Sequence, residues 1–292
     1  MYPVLFNING LKITSYGFAL MCAFLLCNYL LKRYLKSIDI DPSIGDDIIF
    51  YAALGGILGS KIYYIIEFWG TGEGYNNILG LYDIGTGILT LNFTLISSGV
   101  NQFGSGLVFL GGLIGGLLSV SFYIYKNKLN WPIVSDWVAP YLALGHGIGR
   151  IGCFLVGDCY GKPCSHSWAV TFKDGLPPTT YESFSNNYPN VFNKYVEPYY
   201  TPGDLIFVHP TQLYETILYI LLFFYLLFTR KFKKYNSEVF LEYLFFAGFI
   251  RFFIEFFRLN PLYYFNLSGA QYISILMILT SSIFMFIKRK SI

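Results

Sequence analysis

Two arginines stand where an apolar chain should not keep them. Arg150 lies within GHGIGRIGCFLVGDCYG (residues 145–161), a run crowded with glycines, and Arg251 lies within GFIRFFIEFFR beside Glu255 and Arg258. An ionised side chain at the centre of a membrane helix costs about 2.5–3.5 kcal/mol on insertion scales, so it is retained only for a function or a pairing. At 100° per residue His146 and Arg150 fall one turn apart on one face. Arg251, Glu255 and Arg258, spaced i, i+4 and i+7, likewise share a face of a second helix. Guanidinium groups suit phosphate, because the planar fork makes two parallel hydrogen bonds and keeps its charge in low dielectric. The chemistry indicated is capture of an anionic, lipid-like group. The residues leave one alternative open: a purely structural network in which Glu255, Asp158 or Glu67 neutralises the arginines.

The surroundings sharpen this. Gly145, Gly147, Gly149 and Gly152 strip side chains from around the first cation, so the helix can be thin or broken there and a lipid headgroup can touch the backbone. Asp158 follows where that segment leaves the apolar region. A further segment opens with HPTQLYE (residues 209–215), which sets His209, Gln212, Tyr214 and Glu215 at the membrane surface. Pro210 there suits a first helical position.

The elements that must carry these residues follow from composition. The chain has 292 residues, 54% hydrophobic, 20% aromatic and 13% charged, with a mean hydropathy of +0.50. A soluble domain carries about 25% charged residues. Apolar runs near the ~20 residues needed to cross a bilayer recur along the chain. They predict an all-α polytopic membrane protein of seven transmembrane helices, at about 16–35, 46–68, 105–125, 133–157, 211–229, 237–257 and 269–287. The first lacks an A-x-A-like site behind its apolar core and reads as a retained helix. Basic clusters at Lys32, Arg33 and Lys36, at Lys126 and Lys128, at Arg230, Lys231, Lys233 and Lys234, and at Lys288, Arg289 and Lys290 fall on one side. The positive-inside rule then puts the N-terminus outside and the C-terminus in the cytoplasm. Of the basic residues, Lys61, Arg150 and Arg251 remain inside the membrane. The net charge of +3 is scattered over short loops, so no nucleic-acid surface is expected.

Two insertions lie on the outer side of a single membrane domain. Residues 70–104, rich in Gly, Asn and Thr, read as a loop with a short interfacial segment. Residues 158–209 read as a small extracytoplasmic head of short strands broken by Pro and Asn turns. The glycines of ALGGILG and FLGGLIGG let helices approach backbone to backbone. Cys22 and Cys27 are packing residues of an apolar helix. Cys159 and Cys164 fall near the outer face, where a disulfide is open to them. Cys153 reads as a small residue beside a crowded arginine. No paired Cys/His ligand spacing is present, so no metal site is expected.

GRIGCFLVGDCYG, HPTQLYE, FLGGLIGG and RFFIEFFR, in this order and with these gaps, resemble the prolipoprotein diacylglyceryl transferase family, from Ser15 to the QYIS segment at Gln271. The resemblance implies a bacterial cytoplasmic-membrane enzyme with seven spans and an outward N-terminus. It implies transfer of the diacylglyceryl group from phosphatidylglycerol to the lipobox cysteine of a preprolipoprotein, as a thioether, with release of glycerol 1-phosphate and no cofactor. The partners implied are phosphatidylglycerol, preprolipoprotein signal peptides and membrane lipids. Residue by residue, Arg150 matches the arginine of G-R-x-G, and Arg251 and Glu255 match R-x-x-x-E. Tyr16 matches the tyrosine of the first span, and Gly161 the glycine closing the central motif. The departures are Cys153 and Val156 for asparagines, Asp158 for a glutamate, Lys61 for the arginine of G-G-R, and Leu110 for the histidine of F-H-G-G.

The expected site therefore has Arg150 and Arg251 gripping phosphate with Glu255 orienting Arg251. His146 or Asp158 takes the thiol proton in place of the histidine lost at Leu110. Tyr16, Gly161, Lys61, Gln212 and Arg258 complete the substrate-binding set. Three alternatives remain: a retasked relative that binds lipid or signal peptide, motivated by Leu110, Cys153 and Val156; a transferase that keeps the lipid donor but acts on another thiol or amine; and an anion transporter, although no inverted repeat is visible.

Overall fold

The computed structural model describes residues 4–8, 11–104, 106 and 108–290. Apart from a two-stranded sheet of β1 (Val4–Ile8) and β2 (Leu11–Thr14), the described chain is built on α-helices. It divides into two compact units, the first centred on Ile13–Leu30 and Pro132–Ile292, the second on Leu31–Trp131. Helix α1 (Ser15–Ser37) runs from one into the other.

The second unit is assembled on glycine. In α2 (Ser43–Glu67) and α5 (Phe109–Lys126), a Cβ added to Gly59 would lie 2.3 Å from the Gly111 carbonyl, and one added to Gly111 would lie 2.4 Å from the Gly59 carbonyl. No larger residue fits there, as expected for small-residue packing in membranes. Residues 70–104 correct the sequence reading: they hold two helices, α3 (Glu73–Leu89) and α4 (Phe93–Gly104), and not a loop. The cause is again close approach. A Cβ on Gly99 would meet the Gly80 carbonyl at 2.5 Å, so glycines that read as chain breaks are contact points between helices. Lys61 is buried in this unit, its Nζ donating to Asn77 Oδ1 at 2.6 Å and to the Gly106 carbonyl at 3.1 Å. Leu110 occupies the first turn of α5.

In the first unit, α6 (Trp131–Val156) lies beside α1: the thiol of Cys27 donates to the Tyr141 carbonyl at 3.3 Å. The chain then passes through α7 (Tyr181–Asn187) and α8 (Pro189–Tyr195) to α9 (Thr211–Thr229). Helix α10 (Glu238–Ile254) tightens into a 3₁₀ turn over Glu255–Phe257, and α11 (Gly269–Lys290) follows.

One buried carboxylate sets the register of α6 against α10. Asp136, fully buried, accepts from the backbone N–H groups of Ser237 (2.9 Å) and Phe240 (3.1 Å) and from Lys233 Nζ (3.2 Å). Both N–H groups stand at the start of α10, so the carboxylate caps that helix from outside it. From Asp136 to Arg150 and from Ser237 to Arg251 is fourteen residues each, about 21 Å of α-helix. Two parallel helices pinned at one end thus deliver their arginines to the same level.

Residues 158–209 differ from the expected strands. Among the described residues they form isolated bridges, such as Val170 with Val208 and Thr180 with Leu205, plus α7 and α8. The Thr180 hydroxyl caps α7 by accepting from the Ser183 N–H, and Pro189 starts α8, which accounts for helix where the turn-rich sequence suggested strand. Phe172, Phe184, Val196, Ile206 and Val208 form a buried core of their own there.

All seven expected ranges hold helix. Five helical stretches, Ser15–Ser37, Ser43–Glu67, Phe109–Lys126, Thr211–Phe232 and Gly269–Lys290, are long and apolar enough to cross a membrane. Leu25, Ile57, Ile66 and Leu118 are each more than half exposed on them, as lipid contact requires. The protein is a multi-pass membrane protein. Helices α6 and α10 fall outside that set, one diluted by Asp136, His146 and Arg150, the other 17 residues long.

The glycine interface gives a direct test. Gly111→Leu should lower the thermal stability of the detergent-solubilised protein by ~1–3 kcal/mol or more, the range for overpacking. Gly85→Ala, at a helical position with nothing within 4 Å, should be neutral or slightly stabilising by circular dichroism melting. A Gly111→Leu protein as stable as its parent would contradict the packing.

Candidate active site

The charged cluster is organised by Glu215, on the second turn of α9 and 0% exposed. Its carboxylate faces Arg150 Nε at 2.5 Å, Arg251 Nη1 at 3.0 Å and Arg258 Nη1 at 3.5 Å, with His146 Nε2 also at 3.5 Å. Glu255 adds a second anion, 2.9 Å from Arg251 Nη2 and 3.9 Å from Arg258 Nε, and accepts from Asn260 Nδ2 at 2.5 Å. Three cations against two carboxylates leave a formal charge of +1 in a largely buried pocket. Arg258 Nε and Nη1 have no hydrogen-bond acceptor among the described residues. Unfilled guanidinium donors with surplus positive charge are what an incoming phosphate needs.

Each position has a local cause. The glycines of α6 admit α9: the Gly147 carbonyl accepts from Thr216 Oγ1 at 3.2 Å, and a Cβ on Gly147 would already touch the Thr216 carbonyl at 3.4 Å. That approach puts Glu215 against His146 and Arg150, which share a face of α6. The His146 ring stacks on Tyr219, one turn further along α9, at 3.9 Å and 12°. Gly152 admits α1, since a Cβ there would lie 3.3 Å from Tyr16 Cα, and this seats Tyr16 next to the arginine helix. At the end of α10, Arg258 leaves the helix in extended conformation and pairs with Gly161 in an antiparallel bridge.

Gly161 is needed for close approach. Its N–H donates to the His209 carbonyl at 2.9 Å, while a Cβ would lie 2.5 Å from the Phe257 carbonyl and 2.9 Å from His209. The chain 158–162 is thus held between the start of α9 and the end of α10. Gln212, fully buried, donates to the Asp158 carbonyl at 2.5 Å, and Thr211 Oγ1 donates to the Cys159 carbonyl at 2.8 Å.

The structure accordingly brings together Arg150, Arg251, Arg258, Glu255 and His146, with Tyr16, Gly161, Gln212 and Asp158 on the adjoining segments. Lys61 belongs to the second unit, bonded to Asn77. Two expectations change. HPTQLYE is not a surface segment at Gln212 and Glu215, both fully buried. The carboxylate at the centre, Glu215, was not among the expected site residues; the signal was available, because three arginines with Glu255 alone leave a charge deficit that demands another buried anion.

Asp158 stands just beyond the end of α6. Its carboxyl is pushed up to about 7, first by burial and then by the neighbouring Cys159, a value suited to proton transfer near neutrality. The thiols of Cys153 and Cys159 and the Asp158 carboxylate lie within 4.8 Å of one another. Arg150 Nη1, 3.9 Å from Cys153 Sγ, and Arg258 beside Cys159 oppose a cation at this cluster.

A family model described as prolipoprotein diacylglyceryl transferase matches residues 3–287. A phosphatidylglycerol–prolipoprotein diacylglyceryl transferase from Clostridium tetani is 34% identical over 96% of this chain and 94% of its own length. One from Oceanobacillus iheyensis is 29% identical over 99% and 88%. A protein of Clostridium perfringens, numbered 2 under the same name, is 31% identical over 96% and 92%.

If Glu215 neutralises the cluster, Glu215→Gln should cost about 3–5 kcal/mol, the range for breaking a buried pair by removing one partner. Adding Arg150→Met should recover part of that loss, a coupling that melting of the single and double variants would expose. Additive losses would show that Glu215 and Arg150 act independently.

Proposed function

The chain belongs to the prolipoprotein diacylglyceryl transferase family, and we propose that it transfers the diacylglyceryl group of phosphatidylglycerol to the lipobox cysteine of preprolipoproteins, releasing glycerol 1-phosphate. This is a transferase reaction and the first step of lipoprotein maturation. The observation that carries the site assignment is the convergence of Arg150, Arg251 and Arg258 on Glu215, with one cation in excess and donors on Arg258 unfilled.

The reaction forms a carbon–sulfur bond at a glyceryl carbon and breaks the carbon–oxygen bond to phosphate. Negative charge grows on the leaving phosphate, and preorganised donors that meet that charge lower the barrier. Arg150 and Arg251 hold the phosphate, Glu255 orients Arg251, and Glu215 keeps all three guanidinium groups in one place. The acceptor thiol, with a pKa near ~8.5 in water, gives its proton to a base. In this reading that base is Asp158 or His146. Tyr16, Gln212, Gly161 and Arg258 shape the walls of the lipid site.

All seven helices cross the cytoplasmic membrane in this reading, with the N-terminus outside, the C-terminus inside, and residues 158–209 as an extracytoplasmic head that meets the signal peptide. The basic clusters at alternate ends of the helices support that orientation. Leu110, Cys153 and Val156 favour one competing reading, a relative that binds lipid or signal peptide without transferring lipid.

Complementation separates the two readings. Expressed in a host depleted of its own transferase, this chain should add a diacylglyceryl group to a reporter prolipoprotein, read by mass. Arg150→Ala should lose that activity by ~10²-fold or more while staying folded, because Glu215 retains Arg251 and Arg258. An inserted, folded parent giving no adduct would favour the binding reading, and an active Arg150→Ala protein would end the phosphate assignment.

The proton acceptor is read from pH dependence. If Asp158 is the base, it works ionised, so the rate should climb as pH rises through about 7. Asp158→Asn should flatten that limb and slow turnover ~10²–10⁴-fold. A limb that survives in Asp158→Asn and vanishes in His146→Gln would transfer the role to His146.

A further inference from the structure

The proposed transfer assigns no bond-making step to Cys153 or Cys159, yet the fold brings them together. Helix α6 ends at Val156, Gly157 with a φ of 76° reverses the chain, and the N–H groups of Gly157 and Asp158 both donate to the Cys153 carbonyl, at 3.0 and 3.1 Å. This C-terminal turn folds Cys159, itself at φ 59°, back over Cys153. The two sulfurs lie no more than 4.8 Å apart, and both cysteines are free. Cys159 is held below the ordinary thiol range, first by the hydrogen bond from Cys153 and then by Arg258 and Arg150, against burial. A thiolate stabilised by guanidinium groups is the nucleophile of thiol–disulfide exchange.

We propose that Cys153 and Cys159 are a reversible dithiol that closes to a disulfide and, when closed, shuts the neighbouring site. The step balances with an external disulfide as oxidant. The Cys159 thiolate attacks one sulfur of that disulfide, expelling one thiolate; Cys153 loses its proton and attacks the mixed disulfide at Cys159, expelling the second. Two cysteine thiols are oxidised, and one external disulfide is reduced to two thiols. An S–S bond is about 2.05 Å long, so closure draws the 157–159 turn toward α6. That turn is tied to the start of α9 through Thr211 and Gln212, and α9 carries Glu215. Closure also takes the Cys153 sulfur from Arg150. The bond therefore disturbs the arginine cluster from two sides.

The shut-off rests on the proposed transferase activity; formation of the bond does not. The full-length protein in phosphatidylglycerol proteoliposomes is treated with oxidised glutathione, freed of it, and examined by intact mass, peptide mapping and lipid transfer to a prolipoprotein peptide. Expected are loss of two hydrogens, a crosslinked peptide joining Cys153 to Cys159, and transfer reduced tenfold or more, restored by dithiothreitol. Cys159→Ser, compared with its own activity before treatment, should be unaffected by the oxidant, and Cys164→Ser should still form the crosslink. Stable glutathione adducts without a crosslink would overturn the pair, and a crosslink with undiminished transfer would overturn the switch. A reduced parent without transfer, yet forming the crosslink, would count against the transferase reading and not against the dithiol.

Discussion

Guanidinium groups repel one another strongly where water is scarce, and three of them stay together only around fixed negative charge. Glu215 supplies that charge. Its two oxygens reach Arg150, Arg251 and Arg258, which come from α6, α10 and the segment beyond α10, so the helices cannot separate without stranding an ion. Removing one partner from such a cluster costs far more than the pairings contribute over a well-packed apolar alternative. The arrangement is therefore a poor source of stability, and the proposed phosphate site gives it another purpose. Glu255 and Asn260 refine the aim of Arg251 without cancelling the remaining positive charge.

Much of this was legible in the amino-acid order. The intramembrane arginines, the i, i+4 relation of Arg251 to Glu255, and the positions of the long helices follow from periodicity and from the cost of burying charge. Glu215 reads from sequence as a membrane-surface residue because it sits in the first turns of a helix, where an acidic residue is ordinarily explained by the exposed helix terminus. Its burial depends on α9 sinking against the glycines of α6, a tertiary fact. The 70–104 segment was misread for a related reason. Glycine marks a loop when its neighbours are polar, but it also marks a surface that another backbone must touch, and only the partner helix distinguishes the two. In 158–209, Pro and Asn punctuate helices and bridges around a small aromatic core, where pattern alone suggested strands.

The two long helices that carry Arg150 and Arg251, α6 and α10, fall outside the set apolar and long enough to cross a membrane. Asp136, His146 and Arg150 dilute the first, and the second is short before its 3₁₀ turn. The same side chains that mark the site weaken the hydropathy signal. The charges of α6 are satisfied within the protein, Asp136 by backbone N–H groups and Lys233, Arg150 by Glu215, so that helix presents no unmet ion to lipid. A hydropathy profile sees the charge and not the partner.

The matched rise of α6 and α10 constrains the chain in a way that no single contact does. Asp136 pins the start of α10, and the carboxylates receive Arg251 fourteen residues later. Inserting one residue between those points would turn everything beyond it by about 100° and advance it by 1.5 Å. The apolar side chains in between could be exchanged for others of similar bulk with little effect on where the arginine arrives. Across this stretch, selection should act on the count of residues before it acts on their identities, so that gaps are purged where substitutions pass.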